Sequence, residues 1–249
     1  MVTAGAALSF AACACVAFGP AMILFVMLLL PHPHLVILTV GSAFLWLVGI
    51  SFVALAWALL PSPLWLLVIY ASVIQEGTRW LSFIAYERLL CGVESMGQRA
   101  VLHSRISGAG KIPIALANGV GIGMAQALVL HGDVLARALR PGTLYSPSCP
   151  AISVFALSAL SALGILLVNI LLSVIGWTVA YTKRSPRLIA LMLVLRVLAS
   201  SSTLWNSHEN APIEGCCLSL SMLFTVVFLT AGVTVHLILA SVFRSNGKD

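Results

Sequence analysis

Residues 5–30 read GAALSFAACACVAFGPAMILFVMLLL, and after PHPH at 31–34 the chain resumes with LVILTVGSAFLWLVGISFVALAWALL at 35–60. Neither run contains a charged residue. A bilayer's hydrocarbon core is roughly 30 Å thick and a helix rises about 1.5 Å per residue, so about 20 apolar residues suffice to cross it. Both runs exceed that length, and the prolines between them cannot continue a helix. Two consecutive membrane spans joined by a tight turn are therefore expected. A cleaved secretory signal is a poor reading of the first run, which lacks a basic start and is too long for a signal core.

The pattern repeats along the chain. After Pro61-Ser62-Pro63 a third run covers about 64–86 and holds Gln75, Glu76 and Arg79. Four more follow, at about 112–130, 152–181, 188–205 and 216–243. Whole-chain composition agrees, with 61% hydrophobic and 8% charged residues and a mean hydropathy of +1.09 over 249 residues. Soluble domains do not reach such values. The expected fold is all-α, a single seven-helix membrane domain over residues 1–249.

Lysine and arginine collect in loops left on the cytoplasmic side. Arg88, Arg99, Arg105 and Lys111 follow run three, Lys183, Arg184 and Arg187 follow run five, and Arg244 and Lys248 follow run seven. The other side has Arg137 and Arg140. Seven spans put the rich loops on one face, so the N-terminus is expected to be lumenal or extracellular and the C-terminus cytosolic. The net charge of +6 follows from this asymmetry and gives no reason to invoke nucleic acid.

Intramembrane proteolysis needs two aspartates sharing a proton, a serine with a histidine base, or a metal held by histidines on one helix. The aspartates are Asp133 and Asp249, both outside the runs, and no His-Glu-x-x-His occurs. The six histidines lie in turns, loops or near span ends, none deep in a run beside a nucleophile. The six cysteines have no zinc-like spacing and are expected to be buried thiols acting as small apolar residues. No catalytic residue, cofactor or metal is expected.

The remaining features suit helix packing. Gly119, Gly123 and Ala127 recur every four residues in run four, with Gly121 and Ala125 thickening the stripe; small side chains let helix backbones approach closely. Charge inside a span costs about 2.5–3.5 kcal/mol on insertion scales unless it is paired or hydrated. Glu76 and Arg79 are spaced to pair along one helix face. Arg196 lies nine residues past Arg187, roughly 13 Å into the membrane, close to the depth of Glu76. A Glu76–Arg196 pair between spans three and six, direct or through water, is expected, with Asn169 and Ser173 of span five adding hydrogen bonds.

Several of these stretches resemble one family, the anterior-pharynx-defective (Aph) subunit of γ-secretase. The first two spans resemble that family's in Ala17-Phe18-Gly19-Pro20-Ala21, Leu24-Phe25-Val26 and Ala43-Phe44-Leu45-Trp46-Leu47-Val48. Gln75-Glu76 with Arg79 resembles its third span, and Asn118-Gly119-x-x-x-Gly123 its fourth, with Ala127 where a third glycine is usual. Pro141-Gly142 follows at the family's distance, and Phe228-Leu229-Thr230-Ala231-Gly232 resembles its seventh span. The likeness covers nearly the whole chain. It departs at the histidines the family carries within spans five and six: an ungapped register puts Leu172 and Leu198 there, with Asn169 and Arg196 the nearest polar residues. The chain reads as a divergent member.

The resemblance implies a non-catalytic scaffold. It would stabilise the aspartyl protease presenilin and join nicastrin and the presenilin-enhancer subunit in one complex that cuts type I membrane proteins, Notch among them. The endoplasmic reticulum, Golgi and plasma membrane are the implied locations. A small seven-span transporter or channel is the alternative; it would call for inverted repeats or broken helices around a midplane site, and no repeat is visible. A seven-span enzyme or receptor would need a convergent cluster of acids, histidines or metal ligands, which is also not visible.

Overall fold

The computed structural model describes residues 4–59, 63–95, 111–137, 145–146, 149–204 and 215–246. Seven helices carry the fold. Helix α1 is Ala4–Leu24 and continues as a turn of π-helix, Phe25–Leu29; α2 is Pro33–Leu59; α3 is Leu64–Ser95; α4 is Lys111–Arg137. Helix α5 is Val154–Ile175 with another π-helical turn, Gly176–Ala180; α6 is Pro186–Ser202; α7 is Gly215–Asn246. A short antiparallel ribbon, Tyr145–Ser146 against Cys149–Ser153, precedes α5. No strand was expected from the sequence.

Local chemistry sets the ends. Pro33 opens α2 and Pro186 opens α6, positions where a missing N–H costs nothing. Ser153 caps α5, its side chain accepting from the Ala156 N–H at 3.3 Å. Helix α4 continues past the expected 112–130 to Arg137, and an Asp133–Arg137 ion pair four residues apart supports that last stretch at 2.7 Å. Helix α3 likewise runs beyond 86 to Ser95.

Among the described residues, five helices are long and apolar enough to cross a membrane: Ala7–Leu29, Pro33–Leu59, Lys111–Arg137, Val154–Ala180 and Gly215–Ala240. The other two, α3 and α6, carry the intramembrane charges Glu76, Arg79 and Arg196. The chain is a multi-pass membrane protein whose outer faces are apolar, with Leu8, Ile37, Phe44 and Phe228 exposed.

Helices α4 and α5 form the centre. Helix α2 packs on α4, α1 and α7 pack on α5, and α3 and α6 close the remaining side against each other and against α2 and α7. The central pair is close because glycine lets it be. A Cβ at Gly119 would lie 2.7 Å from the Ile170 Cα, and one at Gly123 would lie 3.3 Å from the Asn169 Cβ and the Leu166 carbonyl oxygen. Gly121 faces the opposite way, against the Thr39 carbonyl and the Ser42 hydroxyl of α2. Ala127 is buried among Ala17, Leu135, Ala159 and Ala162 of α1, α4 and α5. The small residues of α4 thus bring three neighbouring helices onto it within this chain.

Candidate functional site: a buried polar network

Helix α3 turns its polar side inward, contrary to a helix in water. Ser72, Gln75, Arg79 and Ser82 are buried, while Tyr70, Val73, Trp80 and Leu81 are exposed. The residues in each set repeat at helical spacing, so one face meets the bundle and the other meets lipid.

Arg79 and Arg196 lie at the heart of the bundle, 0% and 1% exposed. Arg79 pairs with Glu76 one turn before it. Its Nε donates to Ser173 Oγ at 3.1 Å and its Nη2 to Asn169 Oδ1 at 2.9 Å. Arg196 donates through Nη1 to the same Asn169 oxygen at 2.8 Å, and through Nη2 to the side-chain oxygens of Gln75 and Gln126. Asn169 Nδ2 in turn donates to Gln126 Oε1 and to the Ile165 carbonyl, both at 2.9 Å. Ser173 Oγ donates to Asn118 Oδ1 at 3.2 Å. One connected network therefore joins α3, α4, α5 and α6, with Asn169 bonded to both guanidinium groups at its centre.

No direct Glu76–Arg196 ion pair forms among the described residues. Glu76 takes the nearer cation, Arg79, which its own helix presents three residues on. Arg196 is held by neutral amide oxygens instead. Those dipoles solvate the guanidinium in place of water, which makes its burial tolerable. Gln126 was not among the residues expected from the sequence. Its signal was available: it is a polar residue in an apolar run, two turns beyond Gly119 on the face that meets α5.

The cysteines and one histidine also differ from expectation. Cys216, at the start of α7, is fully buried but disulfide-bonded. Cys15 and Cys91 are exposed free thiols, Cys217 is exposed as well, and Cys13 is a half-buried thiol. A serine does lie beside His131, whose Nδ1 is 3.0 Å from Ser158 Oγ. The contact ties the end of α4 to the start of α5. Among the described residues the other ring nitrogen has no partner to orient it as a base. Nor do three metal-ligating side chains gather among them.

With this geometry in place, comparison with known proteins is informative. The family model described as "Aph-1 protein" matches residues 8–240. The chain belongs to the Aph-1 family. It is 32% identical over 224 residues to the γ-secretase subunit APH1-like of Arabidopsis thaliana, covering 87% of each chain. It is 26% identical over 236 residues to the γ-secretase subunit APH-1B of Homo sapiens, covering 90% of this chain and 88% of the relative. It is 29% identical over 202 residues to the γ-secretase subunit Aph-1 of Drosophila melanogaster, covering 80% and 82%.

In this Aph-1 protein, the two leucines at the ungapped histidine register of spans five and six sit in different surroundings. Leu172 lies in the apolar core, and Leu198 is 40% exposed on the outer face of α6. Asn169 and Arg196, both interior to the bundle, are hydrogen-bonded to each other.

Proposed function

We propose that this chain is the non-catalytic scaffold subunit of a γ-secretase complex, supporting intramembrane proteolysis of type I membrane proteins without supplying catalytic groups. Membership of the Aph-1 family over residues 8–240 carries the reading. The network fits it: a bundle knotted by buried hydrogen bonds is a rigid object, and a rigid object can present fixed outer faces to partner helices. The one acid in the network, Glu76, is already engaged with Arg79, and Asp133 is exposed and paired with Arg137.

The partners in this reading are a presenilin-like aspartyl protease, nicastrin and the presenilin-enhancer subunit. Gly119, Gly121, Gly123 and Ala127 would serve assembly from within, by holding α4 against α5, α2 and α1. Gln75, Glu76, Arg79, Asn169 and Arg196 would fix α3 and α6 in the bundle. The N-terminus is lumenal and the C-terminus cytosolic. Supporting that orientation, the disulfide-bonded Cys216 begins α7, at the membrane face from which α1 also starts, and disulfides persist in oxidising compartments. The endoplasmic reticulum, Golgi and plasma membrane are the proposed locations. The relatives compared above, all named as γ-secretase subunits, give the transporter alternative no support.

The test is a mild-detergent pull-down of the tagged chain from its native cells, with co-purifying proteins identified by mass spectrometry. A presenilin-like protease and a nicastrin-like protein should be recovered with the wild-type chain. A chain that purifies alone as a stable monodisperse species would sink the scaffold reading.

A further inference from the structure

Four cations meet at one end of the bundle. Lys183 and Arg184 lie in the turn between α5 and α6, Arg187 in the first turn of α6, and Lys111 at the start of α4, and all are exposed. Lys111 Nζ reaches Thr182 Oγ1 at 3.4 Å, which brings α4 alongside that turn. Among the described residues none of the four forms an ion pair; the two pairs present are Arg79–Glu76 and Arg137–Asp133. Glu87 of α3 is exposed near this end and is likewise unpaired among them.

The backbone under the patch is unusual. Ser185 N–H bonds to the Ala180 carbonyl and Arg184 N–H to the Tyr181 carbonyl, which closes α5 with Arg184 in the left-handed region at φ 48°. Glycine is the usual residue at that position, because a side chain is strained there. Loop charge that merely orients the protein could sit at any of these positions. Here a guanidinium occupies the one where glycine would fit best. Beneath the patch, Phe83, Tyr86, Trp177 and Tyr181 pack as an aromatic cluster inside the bundle, with ring centroids 5.3–5.4 Å apart, so the turn that carries the cations sits on a packed base.

We propose that Lys111, Lys183, Arg184 and Arg187 form a binding site for the phosphate-bearing headgroup of an anionic phospholipid in the adjacent leaflet. Four unpaired cations at headgroup depth complement such a lipid, and the apolar outer faces beside them accommodate its chains. The ammonium of Lys and the planar fork of Arg both suit phosphate oxygens. The site rests on the membrane-spanning reading alone; the orientation proposed above would make its leaflet the cytoplasmic one.

Native mass spectrometry of the purified full-length chain can test this, with phosphatidylinositol monophosphate as probe and phosphatidylcholine as control. The wild-type chain should retain the anionic lipid at least tenfold better than the control, and removing one cation should weaken retention about fivefold. Arg184→Gly is the sharpest variant, since it relieves the backbone strain while deleting the charge. Its thermal midpoint should hold or rise while lipid retention falls, a split that a merely structural arginine would not produce. Lys183→Gln, away from the left-handed position, repeats the test should Arg184→Gly fail to fold. Equal retention of the two lipids, full retention by both variants, or displacement by excess inorganic phosphate would each overturn the lipid site. None of these outcomes bears on the scaffold reading, which the pull-down examines separately.

Discussion

Helices α5 and α6 are neighbours in the chain but stand in the membrane for different reasons. Helix α5 with its π-helical turn carries no charged residue and qualifies as a span unaided. Helix α6 is 17 residues long and carries Arg196, and its guanidinium finds no favourable place in hydrocarbon by itself. What makes α6 tenable is Asn169 of α5, together with Gln75 of α3 and Gln126 of α4. Helix α3 belongs with α6: its Arg79 leans on Asn169 and Ser173. Five helices meet the membrane's entry requirement through composition, and two meet it through their neighbours.

The contrast is broken most severely at its shared atom. Replacing Asn169 with Leu strips both guanidiniums of a common acceptor and leaves them buried. A loss of about 3–5 kcal/mol is expected, as for a buried charge deprived of its partner. The readout is the thermal midpoint and the monodisperse fraction in mild detergent, and a midpoint equal to wild type would refute the central place given to Asn169.

Arg196→Leu separates the two requirements. Insertion of an isolated α6 segment, scored by glycosylation mapping, should improve by about 3 kcal/mol on the insertion scale. The assembled chain should nevertheless lose about 1–3 kcal/mol, because the buried side-chain oxygen of Gln75 loses its donor and that of Gln126 keeps only Asn169 Nδ2. Changes of the same sign in both assays would contradict the view that α6 depends on its neighbours.

Packing of the self-sufficient helices is probed by Gly119→Val. The added side chain meets the Ile170 backbone, which cannot rotate away, so α4 and α5 must separate at a cost of about 1–3 kcal/mol. A variant with wild-type stability would mean that the two helices can slide past each other. At the lower end, Phe228→Leu alters a side chain 73% exposed on the outer face of α7, and a change below about 0.5 kcal/mol is expected. A larger loss in the intact complex than in the isolated chain would show that this face is covered by a partner.

Much of the site could be read from the sequence, though not its wiring. Gln75, Glu76, Arg79, Asn169 and Arg196 stand out as polar groups in apolar runs, and each takes part in the network. Their pairing was misjudged because depth along the membrane normal was the only coordinate that could be estimated. Two side chains at equal depth can still lie on different sides of a bundle, and Glu76 had a cation within one turn of its own helix. Gln126 carried the same signal, a polar residue in an apolar run, two turns past Gly119. The small residues of α4 were legible as a packing surface, but their direction was not, since Gly121 turns toward α2 while Gly119 and Gly123 turn toward α5.

By itself, the sequence determined that this protein lives in a membrane, that it is a multi-pass bundle of helices, and which family it resembles. Those properties depend on hydrophobicity summed over about 20 residues at a time and on local motifs, both of which are one-dimensional. Tertiary structure alone decided that Arg196 rests on amides rather than on Glu76, that Cys216 is disulfide-bonded, and that the glycines of α4 serve neighbours within the same chain. Hydrogen bonds and close packing act over about 3–4 Å, and which atoms come that near depends on how seven helices rotate against one another.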